Sequence, residues 1–79
     1  MNARERKRLL QSRDRLDRML REASITGYCS TGTDNNVETR QGGLVVLLNE
    51  SIEVDRIPRL FEGYPVSFHI LDAATAELH

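Results

Sequence analysis

The 79-residue chain has no tryptophan, one cysteine, two prolines and only four aromatic residues. With a single thiol, Cys29, it can close no internal disulfide, and no Cys/His grouping has the spacing of a structural zinc site. The two usual staples of very small domains are therefore missing, and the fold must rest on a thin apolar core or on association with another surface. One lone cysteine fits a reducing compartment. Long hydrophobic runs are absent too: the longest, Leu44–Leu48, is far below membrane-spanning length. The basic N-terminus is followed by no apolar stretch of seven or more, so no secretory signal is read there. These absences predict a soluble cytoplasmic protein that makes no contact with membrane.

Charge is plentiful but unevenly placed. Residues 1–22 hold eight Lys/Arg against four Asp/Glu, a net +4, while residues 23–79 hold three against eight, a net −5. The near-neutral total of −1 hides a dipolar molecule. Such asymmetry points to a surface that meets a partner: another protein, a second copy of the chain, or nucleic acid.

Periodicity supplies the fold class. Leu9, Leu16, Met19, Leu20 and Ala23 return to one side of a 3.6-residue helix, with no Gly or Pro between them. The segment Ile25–Thr31, β-branched and aromatic around Gly27, reads as a strand in which that glycine permits close packing or a bulge. Polar Gly32–Gly43 reads as a mobile loop joining two strands of a hairpin. Leu44–Leu48 shows no alternation and is expected to be a central strand covered on both faces. Asp55 is expected to cap a short helix over Arg56–Phe61, with Pro58 in its first turn and Gly63 as its C-cap. Val66, Phe68 and Ile70 share one face of a last strand, and Ser67, His69 and Leu71 the other, which a partner would cover.

The expectation is thus one α+β domain over residues 1–79, ordered α-β-β-α-β, with a long N-terminal helix and one short helix packed on a three-stranded mixed sheet. The last two strands are expected to pair in parallel through the helical crossover. Residues 1–8 are expected to fray or project, and 72–79 to form a disordered tail.

Gly27, the run Leu44–Leu48 and the stretch Ile57-Pro58-Arg59-Leu60-Phe61-Glu62-Gly63-Tyr64-Pro65-Val66 together resemble the small α+β domain found ahead of bacterial trypsin-like peptidases. The resemblance spans roughly Ile25 to Ile70 and rests mostly on the pattern I-P-x-x-x-E-G-x-P-V. It implies an accessory fold without chemistry of its own; a chain this short holds no peptidase domain. The charged helix and the polar loop depart from that pattern.

No residue set argues for catalysis. Cys29 and His69 lie on different predicted strands and would need to meet, with a third group to orient them, to act as nucleophile and base. Asp34, Asn36 and Glu38 alternate as in a calcium loop, but Thr39 and Val45 stand where Gly and Glu are required. Gly42-Gly43 lacks the Lys and the helix start of a phosphate loop. The chain is therefore read as a non-enzymatic protein with no cofactor and no metal. Its candidate interaction surface is Arg4, Arg6, Lys7, Arg8, Arg13, Arg15, Arg18 and Arg21, in part neutralised by intrahelical pairs Asp14–Arg18 and Asp17–Arg21. The leading expectation is a self-associating protein-interaction module; the alternative is a nucleic-acid-binding regulator that uses the arginine-rich helix.

Overall fold

A computed structural model describes residues 2–36 and 41–71. Helix α1 runs over Ala3–Glu22, started by Asn2, whose side chain accepts from the Glu5 N–H at 2.9 Å. Its end follows from Ser24, which adopts a left-handed φ of +54°. That turn lets the Ser24 N–H donate to the Arg21 carbonyl and the Ile25 N–H to the Leu20 carbonyl, while Leu20 and Ile25 bury together.

Four strands follow: β1 (Tyr28–Asn36), β2 (Gln41–Leu48), β3 (Leu60–Phe61) and β4 (Tyr64–Ile70). They lie in the order β1-β2-β4-β3, with β1–β2 and β3–β4 antiparallel and β2–β4 parallel. The α+β class and the parallel crossover stand as read from the sequence, but three details differ. First, the polar stretch after Thr31 is not a loop throughout: β1 extends to Asn36 and pairs to Gln41, so Gly32–Asn36 and Gln41–Gly43 are strand and only 37–40 lie outside the described residues. Polar residues such as Thr31, Thr33 and Asp34 suit a half-exposed antiparallel strand as well as a loop. The strand also begins at Tyr28 instead of Ile25, because Gly27 turns the chain at φ +80°.

Second, the expected helix over Arg56–Phe61 shrinks to a single 3₁₀ turn, Val54–Arg56, with Glu53 in place of Asp55 at its start. Ile57 precedes proline and is held extended (φ −88°, ψ 125°), which is the conformation a following proline ring enforces. Third, Gly63 does not cap that helix. With Glu62 at φ +52° and Gly63 at φ +87°, the pair forms a tight two-residue turn that folds β3 onto β4, adding a fourth strand.

The core explains the order. Leu9, Leu16 and Leu20 of α1 pack with Leu44, Val46 and Leu48 on one face of β2, joined by Ile25 and Ile57. The hydrophobic stripe of α1 thus seals the sheet, except for Met19, which is 38% exposed. β2 is central as expected, but only one of its faces is buried; Val45 and Leu47 on the other are half-buried. The turn of the loop before β1 is fixed by contact: a Cβ on Gly27 would stand 2.8 Å from Asn49 Oδ1 and 2.9 Å from the Glu50 backbone N. The tail 72–79 expected to be disordered lies outside the described residues.

Candidate functional site

The eight basic residues of α1 divide into two sets. Arg4, Arg6, Lys7 and Arg8 occupy the first two turns, ahead of Leu9, the first buried residue, and all four are exposed. Residues 3–8 are helical, so this part of the surface projects as helix. The second set, Arg13, Arg15, Arg18 and Arg21, lies along the rest of the helix, beside the buried stripe. Arg15 grips Glu62 of the β3–β4 turn with two N–H groups, Nε to Oε2 at 2.6 Å and Nη2 to Oε1 at 2.5 Å, and Ser12 Oγ donates to the same carboxylate at 2.6 Å. Ser12 is buried in α1, and this bond satisfies its hydroxyl. The Arg15 contact, helped by Ser12, pulls the Glu62 carboxyl down to about 2. A residue with strained backbone is thereby tied to the helix that crosses above it.

On the opposite flank of α1, Asp17 accepts from the Tyr28 hydroxyl and from Arg21 Nε at 3.0 Å. The Arg21 guanidinium carbon also lies 5.4 Å from the Tyr28 ring centroid. The tyrosine hydroxyl and the arginine both lower the Asp17 carboxyl, the tyrosine more. Burial and then the Asp17 bond push the Tyr28 hydroxyl up to about 12. The Asp17–Arg21 pair is the one read from the sequence. Asp14 does not pair with Arg18 but with its neighbour Arg13, at 3.0 Å. Arg18 is exposed and joins no ion pair among the described residues. Of the candidate surface, then, Arg13, Arg15 and Arg21 bind acids within the chain, while Arg4, Arg6, Lys7, Arg8 and Arg18 face solvent.

Cys29 and His69 do not meet. β2 runs between their strands, with Leu47 paired to both Ser30 and His69, so the two side chains stand about two strand spacings, or about 10 Å, apart. The Cys29 thiol instead lies 3.6 Å from the Gly27 carbonyl. Asp34 sits in a paired strand opposite Gly43, not in a cation-binding loop. Among the described residues no group of His, Cys, Asp and Glu has the geometry to hold a metal ion.

A second surface escaped the sequence reading. In β4, Val66, Phe68 and Ile70 pair with Leu44, Val46 and Leu48 and therefore share the helix-bearing face of the sheet. The β2 residues are fully buried, yet Phe68 and Ile70 are 45% and 43% exposed, because α1 lies over β1 and β2 and stops short of them. Leu71 adds 44% exposure at the strand's end. Period-two alternation marked Phe68 and Ile70 as one face, but nothing in the sequence said how far the helix would reach.

Comparison with protein-family models, with curated proteins and with solved structures finds no match to this chain. Among the described residues no helix is long and apolar enough to cross a membrane.

Proposed function

We propose that this chain is a non-enzymatic protein-interaction module that associates with itself in the cytosol. The observation that carries this reading is the uncovered apolar pair Phe68 and Ile70 on the helix-bearing face of β4, with Leu71 exposed just past the strand's end. Large apolar side chains left half in water, in a chain with so few aromatics, gain most when another surface removes them from solvent. The likeness of Ile57–Val66 to an accessory domain supports the same non-catalytic reading. Those residues build the β3–β4 hairpin: Ile57 enters the core, Glu62-Gly63 makes the turn, and Val66 packs at the core's edge.

Sedimentation velocity across low to high micromolar concentration tests the reading. A mass above that of one chain, falling on dilution, is the expected result; a monomer throughout, with no change on Phe68→Lys, would overturn it.

Nucleic-acid binding is the second reading, favoured by the exposed cluster Arg4, Arg6, Lys7 and Arg8 on the projecting turns. Fluorescence anisotropy of mixed-sequence DNA and RNA at two salt concentrations separates it from the first. Four phosphate contacts would weaken roughly in proportion to the fourth power of salt. Binding that ignores salt, or survives alanine at all four positions, would remove this reading.

A further inference from the structure

Resting on the self-association reading above, we infer that two copies of this chain pair through the outer edges of β4, antiparallel, about a two-fold axis at His69.

The direction of the backbone groups sets this up. The Val66 N–H donates outward to the Arg59 carbonyl at 2.9 Å, while the Leu71 N–H donates inward to Leu48 of β2 at 2.6 Å. Since backbone groups alternate sides along a strand, Phe68 and Ile70 direct their N–H and C=O groups outward with Val66. β3 covers that edge only beside Tyr64 and Pro65, and Arg59 extends the cover to Val66. From Ser67 to Leu71 the edge has no partner among the described residues, and no proline, bulge, Lys or Glu guards it.

A strand entering this open lane meets five residues centred on His69, and a second copy of the same five fits it. With His69 opposite its counterpart, Phe68 faces the partner copy's Ile70 in a hydrogen-bonded pair, and Ile70 faces its Phe68 in another. Four backbone hydrogen bonds form, two for each pair. The exposed apolar side chains fall together on the helix-bearing face, each aromatic against a β-branched residue, a favourable cross-strand combination. Arg59, bonded to the Val66 N–H, closes the lane at that end, so a partner strand pairs no further than Ser67 there.

Charge agrees. The strand Ser67–Leu71 contains no Asp, Glu, Lys or Arg, so self-pairing sets no like charges side by side. The other edge of the sheet suits pairing less: β1 is irregular between Tyr28 and Ser30 and exposes Asp34, which a symmetric partner would bring near its own copy.

The register is tested by crosslinking in a Cys29→Ser background. Residues opposite each other in a non-hydrogen-bonded pair come within about 4.5 Å between Cα atoms, close enough for a disulfide. His69→Cys should therefore oxidise to a covalent dimer, Ser67→Cys alone should not, and Ser67→Cys mixed with Leu71→Cys should crosslink as a heterodimer. Ile70→Pro supplies a check that spares the fold, since the lost N–H points outward and the bonds to β2 remain. It should keep the circular dichroism of the parent and weaken association roughly tenfold or more. A parent that sediments as a dimer while His69→Cys fails to crosslink overturns the β4 edge and leaves self-association standing. A parent that is monomeric at every concentration overturns both.

Discussion

The two halves of the sheet receive unequal treatment from one helix. Over β1 and β2, α1 lays down Leu9, Leu16 and Leu20 against Leu44, Val46 and Leu48, and the bonds that Asp17 accepts from Tyr28 and Arg21 lock its flank. Over β4 the same face carries Phe68 and Ile70 with no comparable cover. Both rows are apolar and in register, so composition alone does not separate them. The difference lies in reach: one helix is about 10 Å wide with its side chains, close to two strand spacings, and a sheet of four strands outgrows it. Burial belongs to the first half, and exposed apolar surface is left to the second.

The largest effect should come from breaking the covered half. Leu16 is 0% exposed, and Leu16→Ala should cost about 2–5 kcal/mol, comparable with the whole stability of so small a domain. Phe68→Ala, by contrast, removes a larger side chain that is already half in water, so its cost to folding should stay below about 1.5 kcal/mol. Urea titration of the two variants measures the contrast. Equal losses would mean that the β4 row is part of the core after all.

Gly27→Ala attacks the same half from its backbone. The left-handed conformation alone costs about 1–3 kcal/mol for a residue with a side chain, and the added carbon meets Glu50 backbone at 2.9 Å. A variant that unfolds at the parent's urea concentration would show that this loop can relax.

Much of this contrast was legible in the chain, and the rest failed for physical reasons. The α1 stripe and the apolar β2 run are strong periodic signals; helical spacing proposed both Asp14–Arg18 and Asp17–Arg21, and only the second pair forms, where Tyr28 also donates to Asp17. β3 was hidden because Arg56–Phe61 satisfies helix-capping rules locally; the decisive signal was Ile57 before Pro58, which excludes helix at that point. The turn that follows places Glu62, a residue other than glycine or asparagine, at positive φ, and no short-range pattern announces it. Its carboxylate is held by Arg15, 47 positions away in sequence, and by Ser12. The polar strand Gly32–Asn36 was hidden by composition, since hydrophobic patterning does not see a strand made of Gly, Thr, Asp and Asn.

The Arg15–Glu62 bond ties the β4 hairpin to the covered half, and pH should loosen it. The Glu62 carboxyl is lowered to about 2 from an ordinary 4.5, so the stability it contributes is present above pH 4.5 and is lost as pH falls toward 2. Glu62→Gln should flatten the fall in urea midpoint over that window without abolishing it, because Asp17 and Glu53 are also lowered. Tyr28, raised to about 12, acts at the other extreme: its unfolded hydroxyl ionises near 10, so stability should decline from pH 10 toward 12, and Tyr28→Phe should lessen that decline. Parallel acid curves for Glu62→Gln and the parent would remove the hairpin tie from the account.

The smallest effect is also the one with opposite sign, and it comes from three residues before Gly27. Ser24 holds the left-handed position at the end of α1 that glycine usually fills, with φ +54° and an exposed side chain. Ser24→Gly removes that strain while leaving both terminating bonds, from Ser24 to Arg21 and from Ile25 to Leu20, in place. Glycine's extra freedom in the unfolded chain offsets part of the gain, so the net should be a stabilisation of about 0.5–1 kcal/mol, a Tm rise of roughly 2–6 °C. The same loop would then answer glycine insertion and glycine removal in opposite directions, which is what a helix end fixed by backbone geometry requires. A Tm that falls in Ser24→Gly would mean that the serine side chain holds the turn, and that the firmness of the covered half begins with a side chain instead of with the Leu20–Ile25 contact.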